Sequence, residues 1–130
     1  MKIYVSGTYT DQKRLREWAN ALWHQGHTIT GTWLQETKQP PALSETNWFR
    51  ALAVKDLAEV AAADCIILDL DGTSSTGGRY VEWGFALGRF NMLKITVGAT
   101  NWGVFNTLAD LHYNSWEELL AAFPQISSRT

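Results

Sequence analysis

The sequence has 130 residues but only one cysteine, three prolines and no long hydrophobic run. Because Cys65 is alone, it cannot form an intrachain disulfide or a metal site built on several thiolates. No apolar stretch approaches the roughly 20 residues needed to span a bilayer, and the N-terminal segment turns polar too early for a signal peptide. We therefore expect a reducing, cytoplasmic setting.

The chain also has no large excess of positive or negative charge. The 11 basic and 13 acidic residues give a net charge of −2, and no run of Lys or Arg occurs, which argues against a nucleic-acid backbone or an anionic membrane as the partner. The three histidines have no metal-ligand spacing, so we expect no metal. We expect no cofactor either.

The chain is rich in apolar and aromatic residues. A hydrophobic fraction of 45% is enough for a core and excludes a disordered chain. Seven tryptophans indicate a dense core, an apolar interface or a pocket that binds a ring.

Strand and helix patterns alternate along the sequence. Thr10, Ser44 and the S-x-x-E box at Ser115 are expected to cap helices. Two helices carry apolar stripes at helical spacing, namely Leu15, Trp18, Ala19, Leu22 and Trp23 in the first and Phe49, Leu52, Ala53, Leu57 and Val60 in the second. The predicted strands are 2–6, 28–33, 65–70, 93–97 and 111–113. The first predicted helix lies between Thr10 and Gly26. The other three span about 45–63, 78–90 and 116–123.

This alternation predicts a single α/β domain over residues 1–124, followed by a polar tail over 125–130. The fold class is a flavodoxin-like or Rossmann-like doubly wound parallel sheet of four or five strands. Such sheets bind ligands at the carboxyl ends of their strands, so we expect the site in the loops after the first and third strands.

Three features near that edge are candidates for chemistry. Asp56 falls inside an apolar stripe, where a carboxylate is costly unless it is paired; alternatively it lies on the rim of a wide stripe. Glu82 lies in the first turns of a helix, where the dipole alone favours a carboxylate. The loop 72–78 (GTSSTGG) could bind an anion, or it could be a simple turn.

Two aromatic residues and one motif leave alternatives open. Trp33 and Trp83 are nearest the expected cleft and could face a base ring, although core packing accounts for tryptophan equally well. The segment from Asp69 to Thr73 (DLDGT) looks like the nucleophile motif of haloacid-dehalogenase phosphatases, but no suitable downstream acidic pair follows it.

Three segments together resemble a known family. KIYVSGTYT, KDLAEVAAADCIILDLD and GTSSTGGRYVEWGFALG are similar to segments of the nucleoside 2-deoxyribosyltransferase family, which includes deoxynucleoside 5′-monophosphate N-glycosidases. The similarity extends from Lys2 to about Phe123. It implies a flavodoxin-like sheet, action on a nucleoside or nucleotide, and a homodimer or higher homo-oligomer.

The resemblance assigns roles to individual residues. It places the family's catalytic Glu at Glu82, its helix Asp at Asp56 and its first-strand Tyr at Tyr4. The turn after the first strand lacks the arginine of the nucleotide N-glycosidases, for which Arg79 is a substitute, and Asn106 or Thr107 would be the residue lent by a neighbouring subunit. The expected substrate-binding residues are Gly7, Thr8, Tyr9, Trp33, Asp69, Ser74, Ser75, Thr76, Gly77, Gly78, Arg79 and Asn106.

The chemistry expected from these residues is cleavage or exchange of an N-glycosidic bond through a Glu nucleophile. Whether the substrate is a nucleoside or a 5′-monophosphate stays open, as does hydrolysis against transfer. Two other functions remain: a nucleotide-sensing module on the same fold, and another nucleotide-processing enzyme, such as an NAD-cleaving hydrolase or the phosphatase.

Overall fold

The computed structural model describes residues 1–36, 43–72, 77–99 and 103–128. Within these ranges the chain forms a five-stranded sheet in which every neighbouring pair is parallel. The strand order is β2-β1-β3-β4-β5, which confirms the predicted doubly wound α/β architecture. The elements are β1 (Lys2–Ser6), α1 (Gln12–His24), β2 (Thr28–Ile29), α2 (Glu45–Ala61), β3 (Cys65–Asp69), α3 (Gly78–Leu87), β4 (Leu93–Val97), β5 (Leu111–Tyr113) and α4 (Trp116–Ser128).

The helices cover the two faces of the sheet in pairs. Helix α2 packs against α3, and α1 packs against α4, where Trp18 and Trp116 stack with their ring centroids 5.8 Å apart. All five residues of β3 are buried, as expected for a central strand covered on both sides. Because successive side chains of a strand point to opposite faces, Tyr4 and Ser6 of β1 share one face, and that face carries α3.

The second strand is shorter than predicted. Strand β2 has two residues, and a 3-10 helix, Thr32–Gln35, follows it. Two contacts draw the chain away from the sheet edge: the Glu59 carboxylate accepts hydrogen bonds from the Thr32 N–H and hydroxyl, and the Trp33 indole donates to the Val5 carbonyl at 2.8 Å.

The start of α1 and the end of α3 also differ from the prediction. Thr10 lies inside a short 3-10 helix, Tyr9–Asp11, so Asp11 is the N-cap of α1 instead. Helix α3 stops at Leu87, and the Lys94 ammonium donates to the carbonyls of Arg89 and Met92 in the turn that follows. Ser44 caps α2 as predicted, by accepting from the Asn47 N–H.

Helix α4 continues past the predicted end, through Pro124 to Ser128. A proline removes the hydrogen bond to the carbonyl four residues earlier. Here that carbonyl belongs to Leu120, and it accepts a hydrogen bond from the Gln25 side chain at 3.1 Å instead. Residues 125–128, predicted to be a tail, are therefore helical, and Ile126 packs against the core.

The two predicted apolar stripes are buried to different extents. In α1, Leu15, Ala19 and Leu22 are buried, but Trp23 is 61% exposed. In α2, Val60 is the one buried member of its stripe, and Phe49 is 57% exposed. The stripe predicted for α2 is therefore only partly buried, because Leu52 and Leu57 are half-buried and Ala53 is exposed.

Across the described ranges, every helix is too short or too polar to cross a lipid bilayer.

Candidate active site

A cleft of about 200 Å³ opens beside the carboxyl ends of β1 and β3. This is the edge at which a parallel sheet is expected to bind a ligand. The residues that line it are Gly7, Thr8, Tyr9, Thr10, Trp33, Glu36, Leu52, Asp56, Gly78, Arg79 and Glu82.

The Glu82 carboxylate is held through both of its oxygens. The Tyr4 hydroxyl donates to Oε2 at 2.7 Å, and the Ser6 hydroxyl donates to Oε1, also at 2.7 Å. Tyr4 and Ser6 are fully buried, and their two-residue spacing on β1 presents both hydroxyls to the same side of the sheet. The donors therefore fix the orientation of the carboxylate without neutralising its charge.

Burial raises the pKa of Glu82 to about 7, although the hydrogen bonds from Tyr4 and Ser6 lower it. The negative charges of Asp56 and Glu59 raise it further. Burial, followed by the charge of Glu82, also raises the pKa of Tyr4 above its ordinary value. Near neutral pH, Glu82 thus has both its charged form and its neutral form available, while Tyr4 stays a donor.

Asp56 extends from α2 into the same cleft. Burial raises its pKa to about 6, Lys55 lowers it, and the negative charges of Glu36 and Glu59 raise it. Its Oδ1 atom lies 3.4 Å from the Lys55 Nζ. A carboxyl group of this kind can carry a proton at mildly acidic pH and donate it.

Another wall of the cleft is the turn from Trp33 to Glu36, which three hydrogen bonds hold in place. The Gln12 side chain donates to the carbonyls of Trp33 (2.6 Å) and Glu36 (2.8 Å), and the Tyr9 hydroxyl donates to the Glu36 carbonyl at 3.1 Å. Trp33 lines the cleft while its indole N–H is bound to Val5. Trp83, by contrast, is 1% exposed and donates to the Phe105 carbonyl, so it packs in the core and does not line the cleft.

Most of the predicted site residues within the described ranges come together. Tyr4 reaches the cleft through its bond to Glu82. Gly77, with φ of 84°, is the N-cap of α3 beside it. Ser74, Ser75 and Thr76 lie outside the described residues. The predicted residues that line the cleft are Gly7, Thr8, Tyr9, Trp33, Asp56, Gly78, Arg79 and Glu82.

Asp69 and Asn106 do not line the cleft. Asp69 is fully buried, and its oxygens accept hydrogen bonds from Arg14 and Trp116, which belong to α1 and α4 on the other face of the sheet. Asn106 is buried in the 3-10 helix Val104–Leu108, where Thr107 donates to the Val104 carbonyl.

The segment that looks like a phosphatase motif does not line the cleft either. Asp69, its would-be nucleophile, is enclosed by Arg14 and Trp116. Asp71 accepts a hydrogen bond from the Ala99 N–H at 2.9 Å. In the part of the chain that the structure describes, no group of three or more His, Cys, Asp and Glu side chains is placed to hold a metal ion. The motif therefore does not present Asp69 to a substrate.

Four residues of the site were not predicted as site residues, namely Ser6, Thr10, Glu36 and Leu52. Ser6 binds Glu82, and a signal for it existed, because it lies two residues after Tyr4 and so on the same face of β1. Glu36 lines the cleft next to Lys55. No pattern in the sequence indicates it, because it reaches the cleft only through the 3-10 helix that replaces the second half of the predicted strand.

No family model matches the chain, and no curated protein matches it in sequence. Solved structures do match in shape. A 2-deoxyribosyltransferase from the psychrotolerant bacterium Bacillus psychrosaccharolyticus superposes with a TM-score of 0.73 at 15% identity, covering 92% of this chain and 90% of that one. A conserved protein of Enterococcus faecalis V583 gives 0.70 at 17% identity, covering 96% and 98%. A CMP N-glycosidase of Clostridium botulinum gives 0.58 at 16% identity, covering 97% and 99%.

These structures share the flavodoxin-like α/β fold of this chain over nearly its whole length. Two of them carry names of the family that the sequence segments resemble. The fold that the resemblance implies is therefore confirmed.

Proposed function

We propose that this protein cleaves or exchanges the N-glycosidic bond of a nucleoside or a nucleoside monophosphate. The observation that carries the proposal is the Glu82 carboxylate, which is bound by two buried hydroxyls and faces a cleft shared with Asp56. The names of the structural neighbours, a 2-deoxyribosyltransferase and a CMP N-glycosidase, support the same reaction class.

In the proposed mechanism, Glu82 attacks C1′ of the sugar while the bond from C1′ to the base nitrogen breaks. The transition state has oxocarbenium character, which a carboxylate stabilises. The electron pair of the broken bond stays on the base, and Asp56 in its protonated form gives that base a proton. The product of this step is a glycosyl ester on Glu82.

The second step releases the sugar. In hydrolysis, water attacks C1′, Asp56 takes the proton from that water, and Glu82 leaves as a carboxylate. In transfer, a nitrogen of another base attacks instead. Tyr4 and Ser6 orient Glu82 throughout, because each donates to a different carboxylate oxygen.

We also propose that the working form is a homodimer or higher homo-oligomer. Apolar side chains are exposed on α2, on α3 and on the neighbouring 3-10 helix: Phe49, Val54, Val81, Phe85, Val104 and Phe105. Exposed apolar side chains on neighbouring elements are typical of an interface. Light scattering on the purified protein tests this, and a Val81→Glu variant is expected to lower the measured mass.

The enzymatic proposal is tested with a panel of deoxynucleosides and deoxynucleoside monophosphates, each with and without a free acceptor base. Base release and base exchange are followed by chromatography, with Glu82→Ala alongside. Release or exchange that disappears in the variant supports the proposal, and full turnover by Glu82→Ala contradicts it. Recovery of an intact, tightly bound ligand with no turnover would favour a nucleotide-binding module instead.

A further inference from the structure

One ammonium group beside the cleft is shared by three carboxylates. The Lys55 Nζ forms an ion pair with Glu36 and lies 3.4 Å from Asp56 Oδ1 and 3.5 Å from Glu59 Oε1. It also donates to the Thr32 hydroxyl at 3.0 Å. Lys55 donates hydrogen bonds to Glu36 and Thr32, whereas its contact with Asp56 Oδ1 is ionic only. Lys55 therefore compensates Glu36 more fully than it compensates Asp56.

The three carboxylates have different tasks. Glu59 is occupied by Thr32, whose N–H and hydroxyl donate to it at 3.1 and 3.0 Å. The main chain of Glu36 is fixed by Tyr9 and Gln12, which holds its side chain near Lys55. Asp56 alone among the three is a residue to which the proposed reaction assigns a proton.

We propose that Lys55 is a positioning residue for Asp56, and that Glu36 draws the Lys55 ammonium away from Asp56 so that the Asp56 carboxyl keeps the proton it gives to the departing base. The catalytic part of this inference rests on the proposed function. The electrostatic part concerns the substrate-free protein and can be tested without any turnover.

The charged and titratable groups that face Asp56 come from four elements. Lys55 and Glu59 belong to α2 itself, Glu36 follows the 3-10 helix, Glu82 belongs to α3 and Tyr4 belongs to β1. Arg79 lines the cleft as well. Among these groups, Lys55 is the cation in contact with Asp56, and Glu36 is the group that competes most closely for it.

Two single substitutions must therefore act in opposite directions. In Lys55→Met the compensating charge is lost, so the protonated form of Asp56 persists to higher pH. In Glu36→Gln the Lys55 ammonium is free to pair with Asp56 and a nearby negative charge is removed, so Asp56 loses its proton at lower pH. If the cluster had only a structural role, the two substitutions would not shift the titration midpoint of Asp56 in opposite directions.

The decisive measurement is the titration of the Asp56 carboxyl carbon by NMR in the substrate-free protein. We expect its midpoint to rise by about one pH unit in Lys55→Met and to fall by a similar amount in Glu36→Gln. Lys13→Met on α1 and Glu45→Gln at the start of α2 make the same charge changes at exposed positions away from the cluster, and should leave the midpoint in place. Lys55→Arg keeps the charge and should stay close to the native protein.

Turnover provides the second readout. The alkaline limb of the kcat profile, which reports the acid that protonates the base, should move with the NMR midpoint in each variant. Midpoints that stay fixed, or that move in the same direction in both variants, would overturn the inference. If the native protein releases no base from any substrate, the proposed function fails, yet the NMR titration still decides whether Lys55 and Glu36 control Asp56. If one variant does not fold, the sign of the other is sufficient.

Discussion

Asp69 and Glu82 are carboxylates on opposite faces of the same sheet, Asp69 fully buried and Glu82 half-buried, and their hydrogen-bond partners differ in kind. Asp69 is fully buried and accepts two hydrogen bonds from the Arg14 guanidinium, at 3.2 and 2.6 Å, and one from the Trp116 indole at 2.9 Å. Glu82 accepts one hydrogen bond on each oxygen, and both donors are neutral hydroxyls.

The difference decides what each group can do. A guanidinium compensates the charge of Asp69 and holds it in a closed network, which suits a structural role linking α1, β3 and α4. Hydroxyls orient Glu82 but leave its charge uncompensated, so burial raises its pKa to about 7. A carboxylate that is costly to keep charged, and that faces a cleft, fits the nucleophilic role that we propose for Glu82.

The largest expected effect separates the two residues by activity. Glu82→Gln keeps the shape of the side chain but removes the proposed nucleophile, so we expect kcat to fall by about 10³-fold or more, equivalent to about 4 kcal/mol in the barrier. The measurement is base release under substrate saturation. Glu45→Gln, the same change at an exposed position of α2, should keep native turnover; a Glu82→Gln protein that does so too would remove Glu82 from the mechanism.

The next effect separates them by stability. Arg14→Met leaves the fully buried Asp69 carboxylate without its cation. Because the Arg14 side chain is itself 36% exposed and partly screened by solvent, we expect the free energy of unfolding to fall by about 2 kcal/mol. Denaturant unfolding measures it, with Lys13→Met on the same helix as the control. Turnover per folded molecule should stay near native. A variant that kept its stability but lost turnover would mean that Asp69, and not only Glu82, serves the reaction.

The sequence contains enough to predict the sheet and most of the site. Continuous burial of β3 and the alternation of helices and strands follow from hydrophobic patterning, which is local. Asp56 stood out because a carboxylate interrupts an apolar stripe. The same pattern misjudged α2, since periodicity shows that a face is apolar but not whether the chain itself covers it, and Phe49 remains exposed.

Other features depend on long-range contacts that no local pattern encodes. Asp69 was expected among the substrate-binding residues, yet its position in β3 directs it toward Arg14 and Trp116. Glu36 enters the cleft because Glu59 and Val5 hold a 3-10 helix in place of a longer strand. These pairings join residues 20 or more positions apart, so they become visible only in the folded chain.

A third effect sharpens the comparison through pH. The pKa of Glu82 is higher in the folded protein than its ordinary value of 4.5, so the neutral form is favoured by folding. Its contribution to stability is present below pH 4.5 and is lost as the pH rises through about 7. Between pH 5 and pH 8 the native protein should therefore lose about 2 kcal/mol of unfolding free energy on this account, and Glu82→Gln should lose less. Denaturant unfolding at several pH values measures the difference, and parallel curves for the two proteins would contradict the assigned pKa.

The smallest effect concerns the hydroxyls that hold Glu82. The hydrogen bond from Ser6 lowers the pKa of Glu82, so Ser6→Ala should raise it and move the acid limb of the kcat/KM profile to higher pH. Since a hydrogen bond to a charged group contributes about 1.5 kcal/mol or more, we expect roughly a tenfold loss of rate near pH 6. At pH 8, where a larger share of Glu82 is ionised in both proteins, the loss should be smaller. Tyr4→Phe removes the donor to the other oxygen and should move the limb in the same direction. A loss of rate that is uniform across pH would mean that Ser6 orients the Glu82 carboxylate without changing its pKa. Glu82 and Asp69 would then differ only in the geometry of their hydrogen bonds.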